Sequence, residues 1–455
     1  MRPCLIWMAL ASLAGGGSLM AAAVAAPDAL IEALPERALP ELDAFLKRSL
    51  REAPTMLMRR WETEQAEAHA MAARAPMLPS ARAYVSTGVI MEQRTDGGVD
   101  SDRTLAAVLY SAGISQPIFH WGALTKNYEV AKLSHAISAR NIEETRRLLA
   151  VDLRSRYFTL VNVNASIEST RRRLEDLRRQ LEHARKQVAD GFAASAETST
   201  IDVQITATEM SLQQLERSWD IYRRDLSRIS GVPIDQLPSV VDELPKPGEL
   251  ATVVKNLAGT GDPALPSVRL QNAEDAIRAE RLRYEIESTR LRPKLGLDFS
   301  VSQDNKNPDN NALGPKALIT TWSAYATVNW QLFDGFSTKA AKRASLARLR
   351  VYEKDRDLAI QQEADERRSE VTHLQVVWRQ LEQAEIGISG ARGSIEAIEK
   401  DVKAGWLPAQ QLEVARQAER AALEAVNGAR ANFYLAVATY LSNRGLDPAV
   451  REFGQ

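Results

Sequence analysis

Few residues in this chain are arranged as catalytic or metal-binding sites require. No stretch has a phosphate-binding glycine loop, an H-E-x-x-H zinc motif or the nucleophile elbow of a hydrolase. The Asn- and Asp-rich stretch at 304–310 lacks the central glycine and closing glutamate of a calcium loop, so a turn is the better interpretation. The histidines are scattered at His69, His120, His135, His183 and His373. We therefore predict no catalytic, cofactor or metal site, and we do not expect an enzyme.

Charge gives no sign of a nucleic-acid partner. The sequence holds 58 basic and 59 acidic residues, for a net charge of −1. Arginines do cluster at Arg171–Arg173 and Arg178–Arg179, but acidic residues are interleaved with them, which is typical of a solvated helix face. We expect no nucleic-acid binding.

The first residues have the composition of a cleaved export signal. Arg2 precedes an apolar run over 5–19, and the small residues Ala23 and Ala25 follow that run. We expect a signal peptide over 1–26 instead of a membrane-spanning helix, because the apolar run is short and contains three consecutive glycines. The only cysteine, Cys4, would be removed with this peptide, so the exported chain would contain neither disulfides nor thiolate sites.

The chain is predicted to be a tandem duplication. A constant offset of 214 positions separates four pairs of residues, which are Pro79 and Pro293, Phe119 and Phe333, Gly191 and Gly405, and Gly231 and Gly445. One offset kept over such a distance indicates two copies of a long unit. We divide the chain into repeats over 27–232 and 267–448, a Pro- and Gly-rich connector over 233–266, and a tail over 449–455.

Each repeat is predicted to contain a β-hairpin, over about 80–118 in the first and about 294–333 in the second. Apolar and polar side chains alternate with period two along both segments. Polar, turn-forming residues at 95–102 and 304–314 mark the expected tips of the two hairpins.

Two tryptophans favour a lipid-facing sheet. Trp322 and Trp330 fall on one face of the alternating run at 321–332, roughly 26 Å apart at strand rise, about the height of the apolar band of an outer-membrane barrel. We predict that both lie at the membrane interfaces. The alternation by itself also fits half-buried strands of a soluble sandwich.

Long helices are predicted to make up most of the chain. Aromatic residues form only 6% of the sequence, and apolar residues recur with heptad-like spacing, for example at Leu153, Tyr157 and Leu160. The expected helices lie at about 39–75, 123–190 and 192–231, and at about 267–291, 337–404 and 407–444. The longest ones would reach ~100 Å.

Four strands cannot close a transmembrane barrel, because single-chain barrels need at least about eight and an open sheet edge cannot face lipid. If the strands span a membrane, the chain must therefore form an oligomer. Two copies would supply eight strands and three copies would supply twelve. These physical arguments leave both numbers open.

With these features in place, the chain resembles the TolC family of outer-membrane efflux and secretion channels over about 39–448. The segment Gln116–Gly122 is similar to the family's Q-P-[IL]-F-D-x-G turn between strand and helix, with His120 where Asp is usual, and Trp330–Gly335 is its second copy, with Gln331 where Pro is usual. The junction residues given by this similarity are Gln116, Pro117, Phe119, Gly122, Phe333, Asp334 and Gly335. The resemblance implies a mainly α-helical homotrimer in which each chain gives four strands to a 12-stranded membrane β-barrel and its long antiparallel helices to a tunnel.

The resemblance also implies a function for the turns between long helices. In that family, these turns form the closed periplasmic end of the tunnel and contact an adaptor protein. The matching residues here are Gly191, Phe192, Gly405, Trp406 and Leu407. The polar or acidic residues beyond the two turns, which are candidates for a pore constriction, are Glu197, Asp202, Gln411 and Glu413. Solvated helix-face charge is the alternative interpretation of these carboxylates.

The expected function is that of a passive exit duct in the outer membrane, extending into the periplasm. It would belong to a tripartite efflux pump or a type I secretion system, with a periplasmic adaptor, an inner-membrane transporter and outer-membrane lipid as partners. The alternative is an exported, soluble periplasmic coiled-coil scaffold with its hairpins packed on helices. The sequence leaves the cargo open.

Overall fold

The computed structural model describes residues 28–191, 195–248, 250–257, 267–306 and 317–451. The predicted signal peptide, Phe192 and most of the second hairpin tip lie outside these residues. The described chain forms two compact units. One contains the described residues of 1–60, 141–267 and 361–455, and the other contains the described residues of 61–140 and 268–360. Each unit therefore takes segments from both predicted repeats.

Long helices dominate, as the heptad spacing predicts. The helices are α1 (Pro40–Glu52), α2 (Pro54–Arg74), α3 (Ala123–Ala189), α4 (Ser195–Ser230), α5 (Ala251–Asn256), α6 (Val268–Ser288), α7 (Ser337–Lys403), α8 (Ala409–Asn443) and α9 (Pro448–Arg451). Helices α3 and α7 have 67 residues each and begin 214 positions apart, in keeping with the offset seen in the sequence. None of the described helices is both long and apolar enough to cross a membrane.

The expected helix over 39–75 is wrong in one respect, because the segment forms two helices. Helix α1 ends at Glu52 and α2 begins at Pro54. Ala53 between them has φ −55° and ψ 135°, outside the helical region. Proline disfavours the helical conformation of the residue before it, which accounts for the break.

The strands form one antiparallel sheet in the unit that contains 61–140 and 268–360. They are β1 (Ser80–Asp96), β2 (Val99–Phe119), β3 (Lys294–Lys306) and β4 (Ala317–Asn329), and their order in the sheet is β1-β2-β3-β4. The sequence thus located both hairpins and their pairing within each repeat.

The first hairpin tip is tighter than the polar run at 95–102 suggests. Asp96 pairs with Val99, so only Gly97 and Gly98 form the turn. Their φ values are +59° and +83°. A two-residue hairpin turn of this type needs positive φ at both central positions, which glycine provides at little cost.

The second hairpin ends earlier than its predicted limit at residue 333. Lys294, the first residue of β3, pairs with Asn329, the last residue of β4. Pro293 comes before β3 and has no N–H to donate, so no further rung forms. Trp330 therefore lies beyond the strand, and the prediction that Trp322 and Trp330 end a single strand is wrong.

The core lies in the other unit, where α1, α3, α7, α8 and the connector pack together. Its fully buried apolar side chains include Leu46, Leu153, Tyr157 and Phe433. Several polar groups fix the connector. The bonds are Tyr157 Oη to Ser239 O (3.0 Å), Tyr434 Oη to Pro245 O (2.8 Å), Asn427 Nδ2 to Asp242 O (2.9 Å) and Leu244 N to Asn427 Oδ1 (3.1 Å). These bonds hold the connector backbone against α3 and α8.

Candidate functional site

The sheet has one apolar and one polar face. Ala83, Ala112, Val301 and Trp322 are cross-strand neighbours and form one row. The next row lies on the opposite face and consists of Arg82, Gly113, Ser300 and Ser323. Because successive side chains of a strand point to opposite faces, apolar and polar rows alternate across all four strands.

The apolar face is not covered by other described residues of the chain. The exposed fraction is 79% for Trp322, 52% for Phe299, 50% for Ile114 and 64% for Val85. The polar face is hydrogen-bonded within the sheet, as in the 2.8 Å bond from Thr327 Oγ1 to Asp298 Oδ2. An apolar face on the outside and a hydroxyl-rich face on the inside are what lipid and a water-filled lumen require.

The two strand-to-helix junctions share an unusual backbone conformation. Trp121 and Gly122 have φ +55° and +76°, and Gly335 and Phe336, 214 positions later, have φ +62° and +67°. Each copy thus places one glycine and one aromatic residue in the left-handed region just before a long helix. The aromatic residue comes first in one copy and the glycine comes first in the other. The sequence motif therefore did not show that two consecutive residues have positive φ.

Side chains at the first junction fix the end of β2. A β-bulge lies between Pro117 and Phe119. Gln116 Nε2 donates to the carbonyl oxygens of Met77 (3.1 Å) and Pro117 (2.8 Å). The Phe119 and Trp121 rings meet edge to face with centroids 4.9 Å apart. In the second copy, Phe333 and Phe336 form the equivalent pair at 5.5 Å.

The second junction has a carboxylate that the first one lacks. Asp334 Oδ2 accepts hydrogen bonds from Thr338 Oγ1 (2.5 Å) and Thr338 N (2.8 Å) at the start of α7. These bonds lower the pKa of Asp334. His120 occupies the matching position in the first copy, and partial burial, with a smaller contribution from the charge of Lys294, lowers its pKa. The departure from the family motif at His120 therefore removes an acceptor at the start of α3.

We expect Asp334→Ala to lower the thermal unfolding midpoint near pH 7, with a smaller effect at about pH 3. Because the folded-state pKa of Asp334 is lowered, its contribution to stability is present above the unfolded-state pKa and is lost as the pH falls through the folded-state value. Circular dichroism melts at both pH values measure this difference. The control is Asp365→Ala, which removes a carboxylate that is 80% exposed. An equal loss at both pH values would contradict the assignment.

Both helix reversals use glycine in the left-handed conformation. Gly191 has φ +79° and Gly405 has φ +77°. At the second reversal, Trp406 N donates to Asp401 O (2.9 Å) and Gly405 N donates to Val402 O (3.0 Å), as in a Schellman motif. Trp406 is 79% exposed. A large apolar side chain in that position is available to a partner.

The predicted pore residues show no common site among the described side chains. Asp202 lies 3.6 Å from Arg185, and Glu413 lies 3.2 Å from Arg416. Gln411 is exposed, and the side chain of Glu197 lies outside the described residues. A pore constriction at these residues stays a prediction. Nor do the described residues contain a group of three or more His, Cys, Asp or Glu side chains that could hold a metal ion.

Comparison with known proteins relates part of the sequence to a known family. Residues 45–232 match the family described as outer membrane efflux protein. The chain is similar to this family over that segment. Alkaline protease secretion protein AprF of Pseudomonas aeruginosa is 23% identical to the chain over 356 residues, which are 76% of this chain and 71% of AprF.

Solved structures of outer-membrane channels share the fold of this chain. The CmeC outer membrane channel of Campylobacter jejuni aligns with 90% of this chain and 86% of its own, with a TM-score of 0.73 and 14% identity. The outer membrane protein VceC of Vibrio cholerae aligns with 90% of this chain and 97% of its own, with a TM-score of 0.69 and 14% identity. The predicted fold class, mainly helical with a four-stranded antiparallel sheet, is confirmed.

Proposed function

We propose that three copies of this chain form the passive exit duct of a tripartite efflux pump or type I secretion system. The duct would receive cargo from an inner-membrane transporter and its adaptor and release it outside the cell. The observation that carries this proposal is a sheet with an apolar face, a polar face and two free edges, joined to long paired helices. The solved proteins that share its fold are described as an outer membrane protein and an outer membrane channel. Passive conduction needs no catalytic groups.

The free edges of the sheet support closure between copies. Among the described residues of one chain, β1 pairs only with β2 and β4 pairs only with β3. Unpaired backbone groups at such edges cost several kcal/mol each in lipid, so an isolated sheet would be unstable in a membrane. Pairing β1 of one copy with β4 of the next removes every edge, and three copies give twelve strands.

Ion pairs within the chain indicate the order α4-α3-α8-α7 for the long helices. The contacts are Arg171 to Glu216 (2.8 Å) for α3 with α4, Arg420 to Asp176 (2.7 Å) for α8 with α3, and Arg430 to Glu385 (2.7 Å) for α8 with α7. Helices α4 and α7 are thus the outer two. Both carry exposed apolar side chains, with Val203 69%, Met210 66% and Ile386 71% exposed. In an oligomer, α7 of one copy would cover the exposed side chains of α4 if it packed on α4 of the neighbouring copy.

The helix reversals are the part of the duct that we assign to the adaptor. Gly191 and Gly405 let the paired helices turn back within a few residues, and Trp406 is exposed beside the second turn. In the proposed mechanism, the reversals alternate between closed and open arrangements. Docking of the adaptor favours the open arrangement because the adaptor binds it more tightly.

We expect Gly405→Trp to abolish transport while the trimer still assembles, with Gly191→Trp giving the same result. A β-carbon at either glycine meets no other described atom within 4 Å, so the added side chain would extend into open space where a partner could bind. The positive φ adds backbone strain, for which the control below corrects. Transport in cells that lack the endogenous duct, together with the mass of the extracted oligomer, measures the two effects separately.

Gly445→Trp is the matched control for the reversal variants. Gly445 also has a positive φ, +67°, and a β-carbon there also meets no atom within 4 Å, but it follows the opposite end of α8. Its backbone strain is therefore comparable. Unchanged transport in Gly405→Trp, or an equal loss in Gly445→Trp, would reject the assignment of the reversals to adaptor docking.

The similarity to AprF makes protein secretion the first use to test. Its name places that protein in the secretion of an alkaline protease. Small-molecule efflux would use the same duct, and comparing export of a protease with export of a dye by cells that carry the chain distinguishes the two uses.

A further inference from the structure

The helices next to the sheet keep the repeat offset residue for residue. Helix α2 (Pro54–Arg74) and helix α6 (Val268–Ser288) have 21 residues each, and their first residues and their last residues are both 214 positions apart. Helices α3 and α7 are related by the same offset. Every contact between α3 and α6 therefore defines an equivalent pair of positions on α7 and α2.

Ion pairs join α3 to α6 inside one chain. Arg140 Nε donates to Asn272 Oδ1 (2.9 Å), and the Arg140 guanidinium also pairs with Asp275. Closer to the sheet, Lys126 Nζ lies 2.8 Å from Glu285 Oε2. Residue numbers rise along α3 from one contact to the other and fall along α6, so the two helices run antiparallel.

Helices α2 and α7 lie at the two free edges of the sheet. Helix α2 leads into β1, α3 follows β2, α6 leads into β3 and α7 follows β4. The strand order β1-β2-β3-β4 therefore gives the helix order α2-α3-α6-α7 beside the sheet. The hydrogen bond from Ser345 Oγ to Glu280 Oε1 (2.6 Å) agrees with this order, since it joins α7 to α6. If β1 of one copy pairs with β4 of the next, α2 and α7 become neighbours.

On these outer helices the offset replaces the Arg140–Asp275 ion pair by a cation and an indole ring. Lys354 is 214 positions after Arg140, and Trp61 is 214 positions before Asp275. Trp61 is 63% exposed in the single chain. The side chain of Lys354 is 82% exposed, with its Nζ 3.6 Å from Asp357 Oδ2. A cation over the face of an indole is a favourable contact, and tryptophan is the best aromatic side chain for it.

Two neighbouring pairs of positions fit the same register. The Lys126–Glu285 contact corresponds to Ala340 on α7 and Met71 on α2, so a long apolar side chain meets a small one. Met71 is 64% exposed in the single chain. About one helical turn from Lys354 and Trp61, the exposed residues Arg350 and Glu64 come to the same level with opposite charges.

We propose that α7 of one copy packs on α2 of the next copy in the register of the internal α3–α6 contact, with the Lys354 ammonium over the Trp61 ring of the neighbouring copy. A second copy of this chain is the occupant because it presents the complementary helix beside the sheet edge that must also be paired. The inference rests on the ring of copies in the proposed function and adds the residues that set its register.

Cysteine crosslinking of the full-length protein, extracted with mild detergent, tests this register. The only cysteine of the sequence, Cys4, lies in the predicted signal peptide, so Trp61→Cys/Lys354→Cys introduces a single reactive pair. We expect a short bismaleimide to convert this variant into covalent trimers that survive heating. Trp61→Cys/Arg343→Cys is the matched control, because Arg343 is also exposed on α7 but lies three turns, ~16 Å, closer to the sheet. The control is expected to give single chains after heating.

The mass of the unheated, untreated sample separates this proposal from the duct itself. A trimer in which the Lys354→Cys pair gives no covalent product would overturn the register and leave the duct in place. Equal crosslinking of the Arg343→Cys control would overturn the register as well. The absence of any oligomer would contradict both the register and the duct.

A charge exchange tests the contact between Lys354 and Trp61 themselves. We expect Trp61→Lys to lower the temperature at which the trimer dissociates, because two cations would then meet between copies. The double variant Trp61→Lys/Lys354→Glu is expected to recover most of that loss, since it places opposite charges at the same positions. An unchanged dissociation temperature in the single variant, or no recovery in the double variant, would contradict the contact.

Discussion

Replacing Arg154 by methionine is expected to lower the free energy of unfolding by about 3–5 kcal/mol, the usual cost of breaking a buried ion pair from one side. Its side chain is only 1% exposed, and it contacts two acidic residues, Asp447 at 1% and Glu36 at 9% exposure. Arg154 Nη1 and Nη2 reach the two carboxylate oxygens of Asp447 at 2.5 and 2.9 Å, and Nε reaches Glu36 Oε1 at 2.5 Å. Both carboxylates would lose their cation in the variant.

The position of this cluster explains why the loss should be large. Arg154 lies in the middle of α3, Glu36 precedes α1, and Asp447 precedes α9. One guanidinium therefore links α3 to segments near both ends of the described chain. The fork geometry of arginine allows this, because it donates to Asp447 through two parallel hydrogen bonds while a third donor remains for Glu36.

Arg171→Met is the matched control, because Arg171 is also on α3 and also contacts two acidic residues. Its side chain is 49% exposed, and its partners Glu168 and Glu216 are 41% and 46% exposed. Exposed ion pairs contribute roughly 0–1 kcal/mol. Urea unfolding of the detergent-extracted protein, followed by circular dichroism, compares the two variants. Similar small losses in both would contradict the structural importance of Arg154.

Gly231→Ala is expected to destabilise the fold by about 3 kcal/mol. Gly231 has φ +74°, and an L-residue in the left-handed region costs roughly 1–2 kcal/mol. A β-carbon there would also lie 2.7 Å from the carbonyl oxygen of Glu52 and 3.3 Å from Cδ of Pro54. The chain must shift to relieve that overlap, and overpacking of this kind costs typically 1–3 kcal/mol.

Gly445→Ala separates the overlap from the backbone strain. The residue occupies the equivalent position in the second repeat and has φ +67°, but an added β-carbon meets nothing within 4 Å. We expect a loss of about 1 kcal/mol from conformation alone. The same urea unfolding experiment measures both variants. Equal losses of unfolding free energy in the two variants would show that the close approach between Gly231 and Glu52 does not contribute to the destabilisation.

The comparison of these two glycines shows how much the sequence could predict. The constant offset paired Gly191 with Gly405 and Gly231 with Gly445, and all four glycines have positive φ. Heptad spacing located α3 and α7 because such long helices depend on a regular apolar stripe more than on distant contacts. Alternation located the hairpins for the same reason. These features repeat locally, so a single sequence contains them.

Features that depend on contacts between distant segments could not be predicted in this way. Arg154 is adjacent to the core residue Leu153, and nothing in its neighbourhood indicates that its partners lie 118 and 293 positions away. The end of β4 at Asn329 depends on where β3 begins, since the apolar alternation continues past it. The hydrogen bonds from Trp121 Nε1 to Pro293 O and from Trp330 Nε1 to Leu291 O likewise join three separate segments. The strand-to-helix motif located the two junctions in the sequence, but it did not predict the side-chain hydrogen bonds that they form.

The most direct test of the central claim is the mass of the oligomer extracted from membranes with mild detergent, compared before and after heating. The proposal of an outer-membrane duct predicts that the chain stays with the membrane until detergent is added. It also predicts that the unheated sample has the mass of three copies and that heating yields single chains. A water-soluble monomer or dimer would contradict the duct and return the exported helical scaffold as the better account.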